Sequence, residues 1–194
     1  MAKSRSLWRE LIETAILTLA IFLVVRVALQ NFKVEGQSME PNLQNNEYIL
    51  VNKVDYMVQK PSRGDIVVFR AVPAGQPNRD FIKRVIGLPG EVVAVHNRHV
   101  YINGRVLNEP YINTAHQPLY DWGPKRVPAG DYFVLGDNRN DSDDSHLWTL
   151  SPWLPRNDIV GKAWVSYWPP SDLHLFQASP KIQLSLGMIH IDLG

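Results

Sequence analysis

The longest apolar stretch of the chain lies near its N-terminus and predicts a membrane-spanning helix. Residues 11–29 form an apolar run that only four residues interrupt: Glu13, Thr14, Thr18 and Arg26. In a helix, residues 16–25 place apolar side chains on every side, whereas a surface helix has one apolar face. The helical run would be about 28 Å long, close to the ~30 Å of a bilayer core. We therefore expect residues 1–30 to form a cytoplasmic N-terminus and a transmembrane anchor.

Two other interpretations of this run are a cleavable signal peptide and a buried or interfacial helix. No small-x-small cleavage pattern closes the run, which continues directly into Gln30 and Asn31. The α-amino group and three basic residues lie ahead of the run: Lys3, Arg5 and Arg9. The basic residues on the other side are Arg26, near the end of the run, and Lys33, after it. The excess of positive charge ahead of the run predicts a cytoplasmic N-terminus and an extracytoplasmic remainder.

After the anchor, short β-branched segments bounded by turn residues predict a mostly β fold of antiparallel sheets. The predicted strands are residues 47–54, 65–70, the segment around Lys83, 92–95, 99–107, 131–135 and 160–168. The dipeptide Asn103-Gly104 is typical of a type I′ hairpin turn. Proline-rich residues 71–80 are predicted as a loop, and residues 108–128 as a long excursion.

Composition limits the chemistry that this chain can carry. It has 194 residues, enough for one compact domain, and a net charge of +1, which gives no reason to expect nucleic acid. It has no cysteine, so disulfides and thiolate metal sites are excluded. His96 and His99 have two residues between them in a strand-like region, so they would point to opposite faces and make a poor metal pair. No phosphate-binding loop or zinc motif occurs, and we expect no metal or cofactor.

The first candidate for chemistry is Ser38, in the segment Gly36-Gln37-Ser38-Met39-Glu40-Pro41. A serine between glycine and proline is often only a turn residue. The segment is not a Gly-x-Ser-x-Gly elbow, because Glu40 stands at the second glycine position. Ser38 follows Leu29 by nine residues, which span about 30 Å at full extension. We therefore expect Ser38 to lie close to the membrane surface.

Two later segments suggest how Ser38 could be activated. Lys83 lies in an apolar strand segment, and residues 136–145 form a Gly-Asp-Asn loop that is rich in hydroxyl and carboxylate groups. A lysine in apolar surroundings loses its proton more easily and can serve a serine as its base. One alternative makes Lys83 an edge-strand residue with its head in water. Another makes His146 the base of a Ser-His-Asp triad with Asp137 or Asp144.

Four segments in this order resemble those of the bacterial type I signal peptidases, or leader peptidases. They are residues 36–43, 63–69, 83–91 and 136–145, and the resemblance extends from the anchor to about Pro169. It implies a catalytic β domain at 31–180, with a variable hairpin-containing lobe at about 92–130, behind the anchor at 1–30. Residues 181–194 lie beyond the matching segments and form a tail of unknown role, either a final edge strand or a membrane-touching segment. The resemblance also implies a single-pass endopeptidase of the bacterial plasma membrane that removes signal peptides from exported preproteins. The sequence indicates no oligomeric state.

The resemblance implies a role for each site residue. Ser38 is expected to be the nucleophile, its backbone N–H an oxyanion donor, and Lys83 the general base of a Ser/Lys dyad. Ser142 is expected to orient the lysine. Asp137 and Asp144 are expected to hold the loop in shape.

Two positions depart from the family pattern. Gly36 stands where many members carry Ser or Thr as a second oxyanion donor, so the chain either lacks that donor or needs glycine for its backbone. His146 stands where an arginine commonly pairs with the aspartate, here Asp144.

Two further functions were weighed against signal peptide cleavage. A self-cleaving repressor-type protease is disfavoured by the N-terminal span and by the lack of a DNA-binding helix pair. A catalytically silent, membrane-tethered β domain that binds peptides by strand addition is disfavoured by the presence of both Ser38 and Lys83.

Overall fold

A long apolar helix leads directly into a domain built from two antiparallel sheets. The structure is a computed structural model that describes residues 3–176, with side chains from residue 7 onward. The elements are α1 (Lys3–Ala28), β1 (Leu29–Lys33), β2 (Tyr48–Asn52), α2 (Asp55–Val58), β3 (Ile66–Ala71), β4 (Gln76–Gly87), β5 (Val92–His96), β6 (His99–Ile102), β7 (Arg105–Val106), β8 (Trp122–Arg126), β9 (Asp131–Leu135), β10 (Leu154–Pro155), β11 (Ile159–Trp168) and β12 (His174–Leu175). Short 3-10 turns lie at Thr114–His116, Arg156–Asp158 and Pro170–Asp172. The mostly β prediction is confirmed.

The helix α1 is long and apolar enough over Leu7–Ala28 to cross a membrane, and none of its most apolar window is buried against the domain. It ends at Ala28, whose carbonyl accepts a hydrogen bond from the N–H of Lys53 at 2.9 Å. β1 follows without a linker and pairs with β2 from Leu29 opposite Asn52 to Lys33 opposite Tyr48. The sequence did not predict β1, because a half-polar edge strand shows no clean alternation.

The first sheet has eight strands in the order β1-β2-β11-β3-β4-β9-β10, with β12 paired to β11. Lys83 lies on β4, which pairs with β3 at this position and with β9 from Arg84 onward. The lysine is buried, so the interpretation of an edge-strand lysine with its head in water is wrong. The predicted loop at 71–80 is also wrong in part. β4 already begins at Gln76, opposite Ala71, and extends the hairpin through exposed polar residues whose strand conformation depends on pairing with β3.

The second sheet has the order β7-β6-β5-β8. Asn103 and Gly104 have φ angles of 53° and 79°, as a type I′ turn requires. Asn97 and Arg98 also have positive φ, so His96 pairs directly with His99 across a second turn. The prediction that these histidines point to opposite faces is therefore wrong. β8, within the predicted excursion, completes the sheet by pairing with β5.

Apolar side chains cover both faces of the central strands. Val67 and Phe69 of β3 belong to one buried cluster with Val85, and Ile66 and Val68 belong to another with Met39 and Leu43. A third cluster joins Ile86 and Phe133 of the first sheet to Val93 and Val100 of the second. A polar side chain in the middle of β4 is therefore buried whichever face of the sheet it points to. The predicted tail at 181–194 lies outside the described residues.

Candidate active site

Ser38 lies in the long connection between β1 and β2, and the chain on both sides of it is fixed. Val34 donates to the carbonyl of Glu47 and accepts from Asn46, both at 2.8 Å, which closes the connection at its base. Met39, next to Ser38, is buried in the cluster beneath β3. The N–H of Asn138 donates to the carbonyl of Ser38 at 3.0 Å. The serine is therefore held directly against the 136–145 loop.

Lys83 reaches Ser38 from β4. Its Nζ donates to Oγ of Ser38 at 2.7 Å and to the carbonyl of Ile82 at 3.0 Å. The lysine is only 4% exposed. Burial lowers its pKa from the ordinary 10.5 to about 8, although the carboxylates of Asp144, Asp143 and Asp137 act in the opposite direction. A neutral amine at this distance can accept the serine proton.

Two buried carboxylates shape the 136–145 loop. Asp144 accepts a hydrogen bond from the N–H of Gly136 at 2.8 Å. Asp137 accepts two from the guanidinium of Arg84, at 2.8 and 2.6 Å, and one from Nδ2 of Asn42 at 2.9 Å. Strand alternation sends Arg84 to the face opposite Lys83. Adjacent residues of β4 thus serve the serine and the loop behind it.

A groove of about 790 Å³ runs past the serine. Gly36, Gln37 and Ser38 line it together with Phe81, Ile82 and Lys83. The chain before β2 therefore forms one wall and β4 the other. Within residues 3–176 the backbone N–H groups of Gln37, Ser38 and Met39 make no hydrogen bond. The groove is therefore lined both by Ser38, whose hydroxyl contacts Lys83, and by residues whose backbone donors are unpaired within the described chain, Gln37 and Ser38.

The family was decided by sequence comparison. The family model described as "Signal peptidase, peptidase S26" matches residues 8–168, which include most of the helix, the serine and the lysine. The chain belongs to the signal peptidase family, peptidase S26.

The individual relatives are signal peptidases from several bacteria. The probable signal peptidase I-2 of Synechocystis sp. is 42% identical over 166 residues, covering 84% of this chain and 74% of that protein. The signal peptidase I of Leptolyngbya laminosa is 43% identical over 166 residues, covering 80% and 79%. The signal peptidase IB of Staphylococcus aureus is 34% identical over 178 residues, covering 84% and 90%.

A solved structure was also found, a signal peptidase I from Enterococcus faecalis V583. It has 33% sequence identity and a TM-score of 0.45, and the match covers 54% of this chain and 97% of that chain. The sequence relatives confirm the predicted family and make the chain a serine peptidase of the signal peptidase I type.

Among the signal peptidase positions, Ser142 differs from the expected arrangement. Its side chain is 6% exposed, and its Oγ has no hydrogen-bond partner among the described residues, Lys83 included. Gly136 lies against both Ser142 and the carbonyl of Ser38, and a Cβ there would overlap with each of them. Glycine at 136 thus lets the loop approach Ser38.

His146 takes part in the loop and not in a triad with Ser38. Its Nδ1 lies 2.6 Å from Oδ1 of Asp144, and its ring stacks on Tyr120 with centroids 3.9 Å apart. The hydroxyl of Ser38 is occupied by Lys83. The His–Asp contact expected at the position of the family's arginine is therefore present, and the triad alternative has no support in this geometry.

The sequence reasoning missed several buried residues that support the site. Arg84 binds Asp137, and Arg139, which is fully buried, donates to both carboxylate oxygens of Glu109 at 2.8 and 2.6 Å. A signal did exist, because an arginine within an apolar strand or loop needs a carboxylate partner. The sequence could not identify that partner, which lies 53 residues away for Arg84 and 30 for Arg139.

Gly36 has a φ of +91°, and a Cβ built on it meets no atom within 4 Å. Its N–H donates to Oδ1 of Asn45 at 3.1 Å. Space is therefore available for a side chain, but the backbone conformation disfavours one by about 1–2 kcal/mol. The structure supports the backbone explanation for this glycine over the missing-donor explanation.

We predict that Gly36→Ala and Gly36→Ser will both lower kcat/KM, because either side chain shifts the turn that carries Ser38. The matched control is Gly90→Ala, since Gly90 has a φ of +86° and equally open surroundings but lies outside the groove. That variant should lose a similar amount of thermal stability and keep its activity. Full activity in Gly36→Ser combined with loss in Gly36→Ala would instead identify a hydroxyl donor at this position.

Proposed function

We propose that this chain removes signal peptides from exported preproteins with Ser38 as nucleophile and Lys83 as general base. The observation that carries the proposal is the 2.7 Å contact between Nζ of Lys83 and Oγ of Ser38, made by a buried lysine whose pKa is lowered to about 8. Signal peptidase membership supports the reaction class. The contact supports the assignment of the two residues.

In the proposed reaction, neutral Lys83 takes the hydroxyl proton as Oγ of Ser38 bonds to the scissile carbonyl carbon. The resulting ammonium gives that proton to the amide nitrogen, which departs as the N-terminus of the mature protein. The signal peptide remains as an ester on Ser38. Water then attacks the ester with the same amine as base, which releases the signal peptide carboxylate and restores the hydroxyl.

The backbone N–H of Ser38 is the donor that we assign to the oxyanion. It faces no competing acceptor among residues 3–176, and its position is held by the Asn138 contact to the Ser38 carbonyl. A backbone donor that is already fixed stabilises developing negative charge without reorganising. Gly36 contributes through the turn that aims this group.

Ser142 is the residue that we assign to orienting Lys83, with Asp137 and Asp144 as the scaffold of the loop. The buried hydroxyl of Ser142 has a free donor and acceptor within the described chain, and its loop contacts Ser38. When Lys83 gains the proton, a nearby hydroxyl can rotate to accept from the ammonium. The arginine and backbone contacts of the two aspartates keep the loop in place.

The apolar helix Leu7–Ala28 supports membrane anchoring, and the basic residues before it support a cytoplasmic N-terminus. The catalytic domain would then lie on the extracytoplasmic side of the bacterial plasma membrane. There it meets the preproteins that emerge with their signal peptides still in the bilayer.

We expect Ser38→Ala and Lys83→Ala each to abolish cleavage of a secretory precursor by the full chain in detergent, because each removes one half of the dyad. The double variant should be no worse than either single variant. Lys125→Ala, which removes an exposed lysine of the second sheet, is the matched control and should cleave normally. Precursor processing is measured by gel shift and N-terminal sequencing at the small-x-small site.

The same experiment separates the alternative functions. Self-cleavage without precursor trimming would indicate a repressor-type protease. Binding of the precursor without any cleavage would indicate a silent peptide-binding domain. Normal turnover by Lys83→Ala would move the base to another residue.

The pH dependence follows from the lowered pKa of Lys83. The lysine is a base only when neutral, and its neutral fraction grows with pH, so kcat/KM should rise through about pH 8 and level off above it. Asp143→Asn should move this limb to lower pH, because the carboxylate of Asp143 raises the pKa of the lysine. If kcat/KM instead rose through about pH 6.5, and this rise disappeared in His146→Ala, histidine would be identified as the base.

Ser142→Ala should separate catalysis from stability. The hydroxyl makes no hydrogen bond in the described structure, so its removal should leave the unfolding midpoint unchanged or slightly raised. We expect kcat to fall by about 10²–10³, the usual cost of losing one polar group that acts in the transition state. Unchanged kcat would exclude Ser142 from the mechanism.

A further inference from the structure

The short helix α2 exposes its apolar side chains and buries its polar contacts. Val54 has helical backbone angles, and Val54, Met57 and Val58 are spaced three and four residues apart, so they lie on one side of the turn. They are 39%, 71% and 80% exposed. Tyr56 points the other way, and its hydroxyl donates to Asp65 at 2.9 Å beneath the guanidinium of Arg156. The buried tyrosine therefore holds the apolar side outward.

This apolar side lies next to the end of the candidate membrane span. The N–H of Lys53 donates to the carbonyl of Ala28, the last residue of α1, and Leu29 pairs with Asn52. From Lys53 to Val58 the chain advances only about 8 Å along a helix axis. Where α1 leaves the hydrocarbon core, Met57 and Val58 are thus within the depth of the interfacial layer.

Basic residues flank the apolar side at both ends. Lys53 precedes it and Lys60 follows it, and neither forms an ion pair within the part of the chain that the structure describes. Asp55, half-buried within the turn, is the acidic residue between them. Lysine side chains beside an apolar surface can place their stems in lipid and their ammonium groups among phosphates.

We propose that Val54, Met57 and Val58 form a second membrane contact, inserted at the boundary between headgroups and acyl chains beside the exit of α1. The proposal rests on the membrane anchoring in the proposed function. We assign lipid as the partner of this surface because Val54 directly follows Lys53, whose N–H donates to the carbonyl of Ala28 at the end of the candidate span.

Such a contact would set the height of the dyad above the bilayer. Across the first sheet, Asn52 pairs with Lys162, Lys162 with Val67, and Val67 with Lys83. Three strand spacings of about 4.8 Å therefore separate the start of the contact from the catalytic lysine. A helix alone leaves the domain free to tilt about one attachment point, whereas two attachments on the same sheet edge restrict that tilt.

The absence of cysteine allows a direct test. Single cysteines are introduced by Met57→Cys and Val58→Cys in the full chain, spin-labelled, and placed in vesicles of phosphatidylethanolamine and phosphatidylglycerol. Collisions with oxygen and with a water-soluble nickel chelate then report the depth of each label. Leu119→Cys is the matched control, because Leu119 is also apolar and 69% exposed but lies far along the chain from α1. Leu19→Cys reports whether the span is inserted.

We expect labels at 57 and 58 to lose most of their chelate collisions and to lie about 5–10 Å into the boundary layer, while the label at 119 stays aqueous. Equal chelate access at 57, 58 and 119, with the label at 19 in lipid, would overturn the second contact and leave the anchor intact. An aqueous label at 19 would overturn both. Two labelled positions and unfolding midpoints equal to that of the parent chain guard against misfolding, and no readout depends on catalysis.

Discussion

The rest of the site depends on the burial of Lys83, whose side chain lies on an apolar, covered face of the central sheet. A lysine in water carries its proton at neutral pH and cannot act as a base. Apolar neighbours on β3 and β4 remove most of its contact with solvent, and its pKa falls to about 8. The serine must then come to the lysine, and the connection between β1 and β2 closes over the sheet to bring it there.

Buried charges also surround the candidate site, and each of them has a partner among the described residues. Arg84 pairs with Asp137, and Arg139 pairs with Glu109. Asp144 accepts hydrogen bonds from the backbone N–H groups of Gly136 and His146. Removing one member of such a pair is costly, because the other is left charged and unpaired away from water. The pairs thus keep the 136–145 loop in a single shape. Ser142 differs from these charged residues, because its buried hydroxyl has no hydrogen-bond partner in the described chain. This free hydroxyl is the reason that we assign Ser142 a role in the proposed reaction.

The junction between helix and sheet fixes the candidate site relative to the candidate membrane span. α1 passes into β1 without a linker, and β1 pairs at once with β2, so the end of the span and the first strands form one continuous unit. The serine follows β1 by only a few residues. An enzyme whose substrate remains in the bilayer benefits from an active site held at a defined height, because positioning replaces a search in solution.

The sequence alone determined the apolar run, most strands and the Asn103-Gly104 turn, because hydropathy, alternation and turn chemistry are local properties. Its motifs also singled out Ser38 and Lys83 as candidate site residues. It also determined the family, through motifs in a specific order. Only the tertiary structure decided the conformation of residues 76–80 and the existence of β1, since both are polar strands that depend on a paired neighbour. It also decided that Lys83 is buried, that Gly36 has a positive φ, and that Arg84 reaches Asp137. The contacts of Lys83 with Ser38 and of Arg84 with Asp137 join residues 45 and 53 positions apart. Local sequence cannot predict them, because they form only when distant segments of the chain fold together.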